Sequence, residues 1–197
     1  MCRVADTSHS SRRSTHLREF DYSQPGAYFV TLCVRNRECL FGSITDATIC
    51  LTDTGMLVRD TWREMPLHYT GLALDEFVIM PNHFHAIVML TGSPPSNHSS
   101  ADGRARGPSP TLGLHDIVQR FKSLTTNRLR LVCGTGGRYP VPLWQRGYHE
   151  HVIRNDGSLE RIRQYIVNNP AEWSLDKENP DFIPPATPRA DIEPWMV

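Results

Sequence analysis

Two histidines flank a single apolar residue in His83-Phe84-His85, at the head of the apolar run that follows Val78-Ile79-Met80-Pro81-Asn82. Alternate strand residues share a face, so His83 and His85 point one way and Phe84 and Ala86 the other. Their imidazoles sit about 6–7 Å apart along the strand, within reach of one divalent cation. A lone His-x-His is more often a pair of partly buried strand histidines with no ligand. A second stretch raises the stakes: Tyr165-Ile166-Val167-Asn168-Asn169-Pro170, followed by Trp173. On a helix over Leu159–Asn168, the residues Leu159, Ile162 and Ile166 form the buried stripe. Tyr165 flanks that stripe, and Asn169 lies one turn further along the same face. A further His-x-His, His149-Glu150-His151, could join the first pair in a four-histidine zinc site. A closed tetrahedral site leaves no position for substrate, which favours a partner-contacting or structural role for this second pair.

Several elements must position these residues. Ala27–Val34 is β-branched and aromatic, bounded by Pro25-Gly26 and Arg35-Asn36-Arg37, and is apolar on both faces as a central strand is. Cys39–Leu51, broken at Gly42-Ser43, reads as a short hairpin. Thr52 or Asp53 caps a helix to about His68, with Met56, Leu57, Val58, Trp62 and Met65 near helical spacing. Leu72–Met80 and the strand from His83 make an antiparallel hairpin through the Pro-Asn turn. Leu114–Val132 is a basic amphipathic helix, buried along Ile117, Val118, Phe121, Leu124 and Leu131. Its charges are either a solvated face or phosphate contacts. Leu143–Arg154 alternates and ends as a strand. Asp156 caps the helix that stops before Pro170. The expected fold class is α+β: a ferredoxin-like βαββαβ sandwich with a mostly antiparallel sheet, helices on one face, and an added C-terminal helix over the sheet edge or face.

The 197 residues, 39% apolar, fit one domain with extensions. We expect a flexible arm over 1–24, a domain over 25–173 with a flexible Gly/Pro/Ser-rich loop at 92–110, and an acidic, proline-rich tail over 174–197. Net charge is zero, but its distribution is uneven. Seven basic residues face one acid between Arg104 and Arg138, and six acids face two bases after Asn169-Pro170. That segregation points to an anionic partner on one face and a tail that competes with it. Of 21 basic residues 19 are arginine, the better side chain for bidentate phosphate contacts. Five cysteines without Cys-x-x-Cys spacing, and no signal-peptide or membrane-length apolar run, point to a reduced, cytoplasmic setting.

Met80-Pro81-Asn82-His83-Phe84-His85 resembles the histidine–hydrophobic–histidine motif of single-tyrosine transposases. The Tyr165–Pro170 stretch with Trp173 resembles their nucleophile helix. Leu143–Arg154 and the opening Gly26–Thr31 are similar, more narrowly, to the REP-associated tyrosine transposases, and the likeness runs over about residues 20–175. The resemblance implies a ferredoxin-like core and metal-assisted, tyrosine-dependent cleavage and rejoining of single-stranded DNA beside a hairpin. It implies His83, His85 and Asn169 as ligands of Mg²⁺ or Mn²⁺, and Tyr165 as nucleophile. It also implies a cytoplasmic, nucleoid-associated protein acting as a monomer on repetitive hairpin DNA, a dimer with a swapped tyrosine helix being the variant seen in related transposases.

The residue types suit that chemistry. A hard cation on a phosphate oxygen neutralises charge, and two imidazoles plus one oxygen leave positions open for substrate. A phenol, with an ordinary pKa near about 10, is both a tolerable nucleophile and a tolerable leaving group. Expected DNA contacts are Arg120, Lys122, Arg128, Arg130, Arg138, Gln145, Arg146, His151 and Arg154. Trp144 either stacks an unpaired base or fills the core. The competing readings are a hairpin-DNA-binding module that does not cut and, more distantly, a zinc-stabilised domain.

Overall fold

The computed structural model describes residues 20–92, 112–133 and 142–184. Strand β1 (Gly26–Cys33) lies inside a four-stranded antiparallel sheet, paired on one side with β5 (His83–Leu90) and on the other with β6 (His149–Ile153). β5 pairs in turn with β4 (Leu72–Ile79), which gives the order β4-β5-β1-β6. Helix α1 (Asp53–His68) crosses from β1 to β4, and α2 (Leu114–Cys133) leads from β5 to β6. This is the expected ferredoxin-like βαββαβ arrangement. A separate hairpin, β2 (Gly42–Thr45) and β3 (Thr48–Leu51), precedes α1.

Both faces of β1 are apolar because both are covered. Tyr28, Val30 and Leu32 point into a large core with Phe84, Ala86 and Val88 of β5, Val58, Trp62 and Met65 of α1, and Ile117, Val118 and Phe121 of α2. Phe29 points the other way, with Ile87 and Ile153, under Ile162 and Ile166 of α3 (Asp156–Asn168). The two helices of the core, α1 and α2, therefore lie on one face, as expected, and the added helix α3 covers the other face alone. That placement decides the site, because His83 and His85 share the parity of Ile87 and so face α3.

Local chemistry shifts several boundaries. The hairpin turn is at Asp46-Ala47, with φ 49° and 57°, while Gly42-Ser43 begins β2. Asp is among the residues that tolerate the left-handed region, and a two-residue turn of that hand matches strand twist. Thr52 caps α1, its hydroxyl accepting from the Gly55 amide. Asn155 rather than Asp156 caps α3, its Oδ1 accepting from the Ser158 amide at 2.8 Å. The stretch Leu143–Arg154 ends as a strand, as expected, at His149–Ile153. Before it, the chain makes a single antiparallel bridge, Trp144 to Val34, and the Gln145 and Gly147 carbonyls accept from Lys122 Nζ.

Two expected domain boundaries also move. Phe20 and Tyr22, assigned to the arm, pack on Tyr28, and the Tyr22 carbonyl accepts from the Leu114 amide at 3.0 Å. After a 3-10 turn at Trp173–Leu175, the segment assigned to an extended tail returns to the sheet and buries Asp176 and Glu178. The expected loop at 93–110 and the ends 1–19 and 185–197 lie outside the described residues. No described helix is long and apolar enough to cross a membrane.

Candidate active site

The turn before β5 is tied down on both flanks. The Val34 amide donates to the Asn82 carbonyl at 2.8 Å, the Phe41 amide to the Pro81 carbonyl at 2.9 Å, and the Met80 amide to the His83 carbonyl at 2.8 Å. Asn82 is fully buried, and its Nδ2 donates to the carbonyls of Arg37 and Glu178 at 3.1 and 2.6 Å. Those two bonds fix the amide's orientation, leaving Oδ1 toward His83 Nδ1 at 3.0 Å. A carbonyl oxygen only accepts, so Nδ1 carries the proton and His83 Nε2 presents a lone pair. On β1, opposite His85, Thr31 places its hydroxyl 2.8 Å from His85 Nδ1.

The two Nε2 atoms meet at 3.0 Å, and both imidazoles are fully buried. Burial lowers both pKa values, that of His83 to about 3 with the Arg37 charge adding to the effect, and that of His85 well below its ordinary value with His83 adding. Both rings are therefore neutral at neutral pH, the state a metal ligand needs.

Asp176 approaches from the returning segment, its Oδ2 3.5 Å from His83 Nε2. That oxygen and Asn169 Oδ1 are buried without a hydrogen-bond partner. The His83, His85 and Asp176 ligand atoms all lie within 4.8 Å of one another. The donor set fits a divalent cation. Ligands at right angles about 2.1 Å from an octahedral ion lie about 3.0 Å apart, the separation of the two nitrogens. A cation would also satisfy an oxygen whose burial is otherwise costly. Burial, with the Glu178 carboxylate adding, raises the Asp176 pKa to about 6.

Tyr165 reaches the same centre from α3. Its hydroxyl is 3.4 Å from His85 Nε2, and its ring stands edge-on to Phe29 and His85. Burial raises the phenol's pKa and the Asp176 carboxylate adds to this, while a hydrogen bond from Asn169 works the other way. The bidentate pair Arg163–Asp75, at 2.8 and 2.6 Å, ties α3 to the bulge in β4. Trp173 lies over His83 with ring centroids 6.0 Å apart.

An uncharacterised protein of Haemophilus influenzae is 37% identical over 172 residues, 84% of this chain and 92% of its own length. The chain belongs to that protein's family. No family model matches the chain. The solved structure of a REP-associated tyrosine transposase bound to a REP hairpin is similar at 21% identity and a TM-score of 0.52, over 80% of this chain and 73% of that one. The shared feature is the α+β fold, that of the family the motifs resemble.

The expected DNA contacts divide sharply. Trp144 is a core residue: it is 3% exposed, donates from Nε1 to Thr125 Oγ1 at 2.8 Å, and packs between Phe41 and Phe121. Of the two roles expected for it, its ring therefore fills the core and does not stack on an unpaired base. Arg128 is spent within the fold, its guanidinium bonded to Glu64 at 2.6 Å and Thr61 at 3.0 Å. Lys122 staples the Gln145 and Gly147 carbonyls, and burial lowers its pKa to about 8. Arg120, on α2, lies over the Tyr69 ring at the end of α1, across the sheet from Tyr165. Arg130, Arg146 and Arg154 are exposed, Gln145 and His151 are half-buried, and Arg138 lies outside the described residues. His149 and His151 pair opposite Thr31 and Phe29 and do not join the group of metal-competent ligands. Asp176 was missed in the sequence reading because nothing in a proline-rich acidic stretch marks which carboxylate folds inward.

Proposed function

We propose that this protein is a metal-dependent DNA strand transferase of the REP-associated tyrosine transposase kind, acting on single-stranded DNA next to a hairpin. The carrying observation is the Tyr165 hydroxyl 3.4 Å from His85 Nε2, beside a second neutral imidazole and a buried carboxylate. The Tyr165 oxygen attacks the phosphorus and loses its proton, a 5′-phosphotyrosyl bond forms, and the protonated 3′-oxygen leaves. A DNA 3′-hydroxyl attacking that phosphorus reverses the step and releases tyrosine without an external energy source. His83, His85 and an oxygen of Asp176 or Asn169 would hold Mg²⁺ or Mn²⁺, which supplies charge neutralisation at the phosphate. Asn82 and Thr31 orient the imidazoles, as outer partners of metal-binding histidines do. α3 aims the phenol, and the Asn169 amide favours its ionised form.

The test is incubation of single-stranded hairpin DNA and Mn²⁺ with wild type and with Tyr165→Phe. Wild type forms a denaturant-resistant adduct on the 5′-phosphate and leaves a free 3′-hydroxyl. The variant keeps the packing and binds the same DNA but forms no adduct. Cleavage by Tyr165→Phe would remove Tyr165 as nucleophile.

One observation favours the binding-only reading: Trp173 and Asp176 cover the histidines, which are fully buried. A hairpin-binding module would keep this cover in place, and the same assay would then give DNA binding with no adduct from wild type.

A further inference from the structure

Asp176 offers only one of its two oxygens to the histidines. Oδ1 accepts from the Glu178 amide at 2.7 Å, so Oδ2 is the atom left facing His83 Nε2. The loop around it also closes on itself: the Asn179 amide donates to the Asp176 carbonyl at 3.1 Å, and Asn179 Nδ2 to the Trp173 carbonyl at 3.0 Å. Those bonds shape the loop without tying it to the sheet. The ties come from the turn after β1 and the turn before β5. Arg37 Nε is ion-paired to Glu178 Oε2 at 3.0 Å, and Arg37 Nη1 donates to the Lys177 carbonyl at 3.4 Å, across 140 residues of sequence. Asn82 Nδ2 donates to the Glu178 carbonyl at 2.6 Å, and the Cys33 thiol donates to the Glu178 carboxylate.

The Arg37 end of these ties is strained. Asn36 and Arg37 hold left-handed φ of 60° and 57°, a conformation costly for residues other than glycine. Such a turn persists where its neighbours hold it in place. Here Asn82 Nδ2 holds the Arg37 carbonyl at 3.1 Å, and the Arg37 amide donates to the Val34 carbonyl at 3.1 Å.

We propose that Arg37 is a positioning residue for the metal centre: by gripping Glu178 and the Lys177 carbonyl, it holds the Asp176 carboxylate where a third ligand is needed. The inference rests on the metal-dependent reading above and adds a residue that acts on the ion through another. Charge and geometry pull in opposite directions at this position. A guanidinium beside the centre disfavours a cation, as it disfavours protonation of His83. On charge alone, its removal strengthens cation binding, and the Glu178 carboxylate freed from its ion pair strengthens it further. Removal of a fastener weakens binding, because the carboxylate is then in place for only a fraction of the time.

The Arg37 side chain is 54% exposed, so replacing it leaves the core intact. The experiment titrates Mn²⁺ without DNA into the 197-residue chain by calorimetry. The proteins are wild type, Arg37→Met, Arg37→Lys, Asp176→Asn and the Arg37→Met, Asp176→Asn double variant. Hydrogen exchange of the Glu178 and Asn179 amides is followed on the same samples. Arg37→Met weakens Mn²⁺ binding about tenfold, the scale for outer partners of metal ligands. Arg37→Lys keeps the charge without the forked grip and falls between. Arg37→Met has no further effect once Asp176 is replaced. Mn²⁺ slows exchange of both amides in wild type but not in Asp176→Asn. In metal-free Arg37→Met the two amides exchange faster, while β1 and α3 exchange as in wild type. Unchanged or tighter Mn²⁺ binding by Arg37→Met overturns the positioning role. So does an equal loss with and without Asp176, exchange in wild type that Mn²⁺ leaves unaltered, or loosening that spreads to β1 or α3. Adduct formation on single-stranded hairpin DNA is read separately. An Arg37 effect on Mn²⁺ without an adduct from wild type removes the cleavage reading alone, and an adduct without the Arg37 effect removes this inference alone.

Discussion

Truncating Ile162 to alanine tests whether α3 docks as a separable unit that delivers Tyr165. Ile162 is fully buried against Phe29, Ile87, Ile153 and Ile166, a cluster of five buried side chains on the α3 face. The larger core lies across the sheet with α1 and α2 and does not include α3. Losing a buried isoleucine's outer carbons costs about 2–5 kcal/mol, the spread reflecting how far the cavity collapses. Because Ile162 packs only within the small cluster, that cost falls on the docking of α3. At about 3 kcal/mol the undocked fraction rises a little over a hundredfold. Native-state hydrogen exchange measures this directly: amides of α3 lose protection by that factor while those of β1, β5, α1 and α2 keep theirs. Adduct formation falls with the docked fraction. Leu32→Ala, on the opposite face and fully buried, lowers protection throughout the sheet and serves as the contrast. Equal loss of protection in α3 and β1 after Ile162→Ala would refute the reasoning, because α3 would then belong to one cooperative core.

Two further perturbations probe the same assembly. Arg163 holds the Asp75 carboxyl below its ordinary pKa of 3.8, so this pair's contribution to docking α3 is complete above that value and is lost as pH falls through the depressed one. Asp75→Asn should therefore abolish acid-dependent release of α3, followed by hydrogen exchange, and an unchanged acid transition would sink the assignment. At Asp176 the sign is opposite: with its pKa raised to about 6, docking of the metal-free carboxyl is strongest below 3.8 and weakens as pH rises through about 6. Mn²⁺ needs the carboxylate, so its affinity, read by calorimetry, rises over the same interval. Asp176→Asn lowers that affinity by about tenfold or more and flattens its pH dependence, and unaltered Mn²⁺ binding would leave the third oxygen to Asn169.

The sequence by itself determined the order and type of the elements of the core, because each carries its own period or its own stop signal. The apolar run Ala27–Val34, the stripe positions Ile117, Val118 and Phe121, and the cap at Thr52 are local facts that tertiary packing did not override, whereas Leu131, expected in the same stripe, is exposed and Leu129 is buried instead. The facing of His83 and His85 was equally legible, since strand parity alone assigns it. Tertiary structure decided what those histidines meet. Asp176 and Glu178 are separated from His83 by some ninety residues of sequence, and no periodicity tells a carboxylate that folds inward from one in a solvated tail. The arginines show the same limit. Arg128 and Arg130 look alike along α2, yet only the arrival of Glu64 from α1 turns the first into an internal ion pair and leaves the second lining a crevice. Trp144 became a core residue because Thr125 stood ready to accept its indole N–H, a pairing across nineteen residues that only the folded chain brings together.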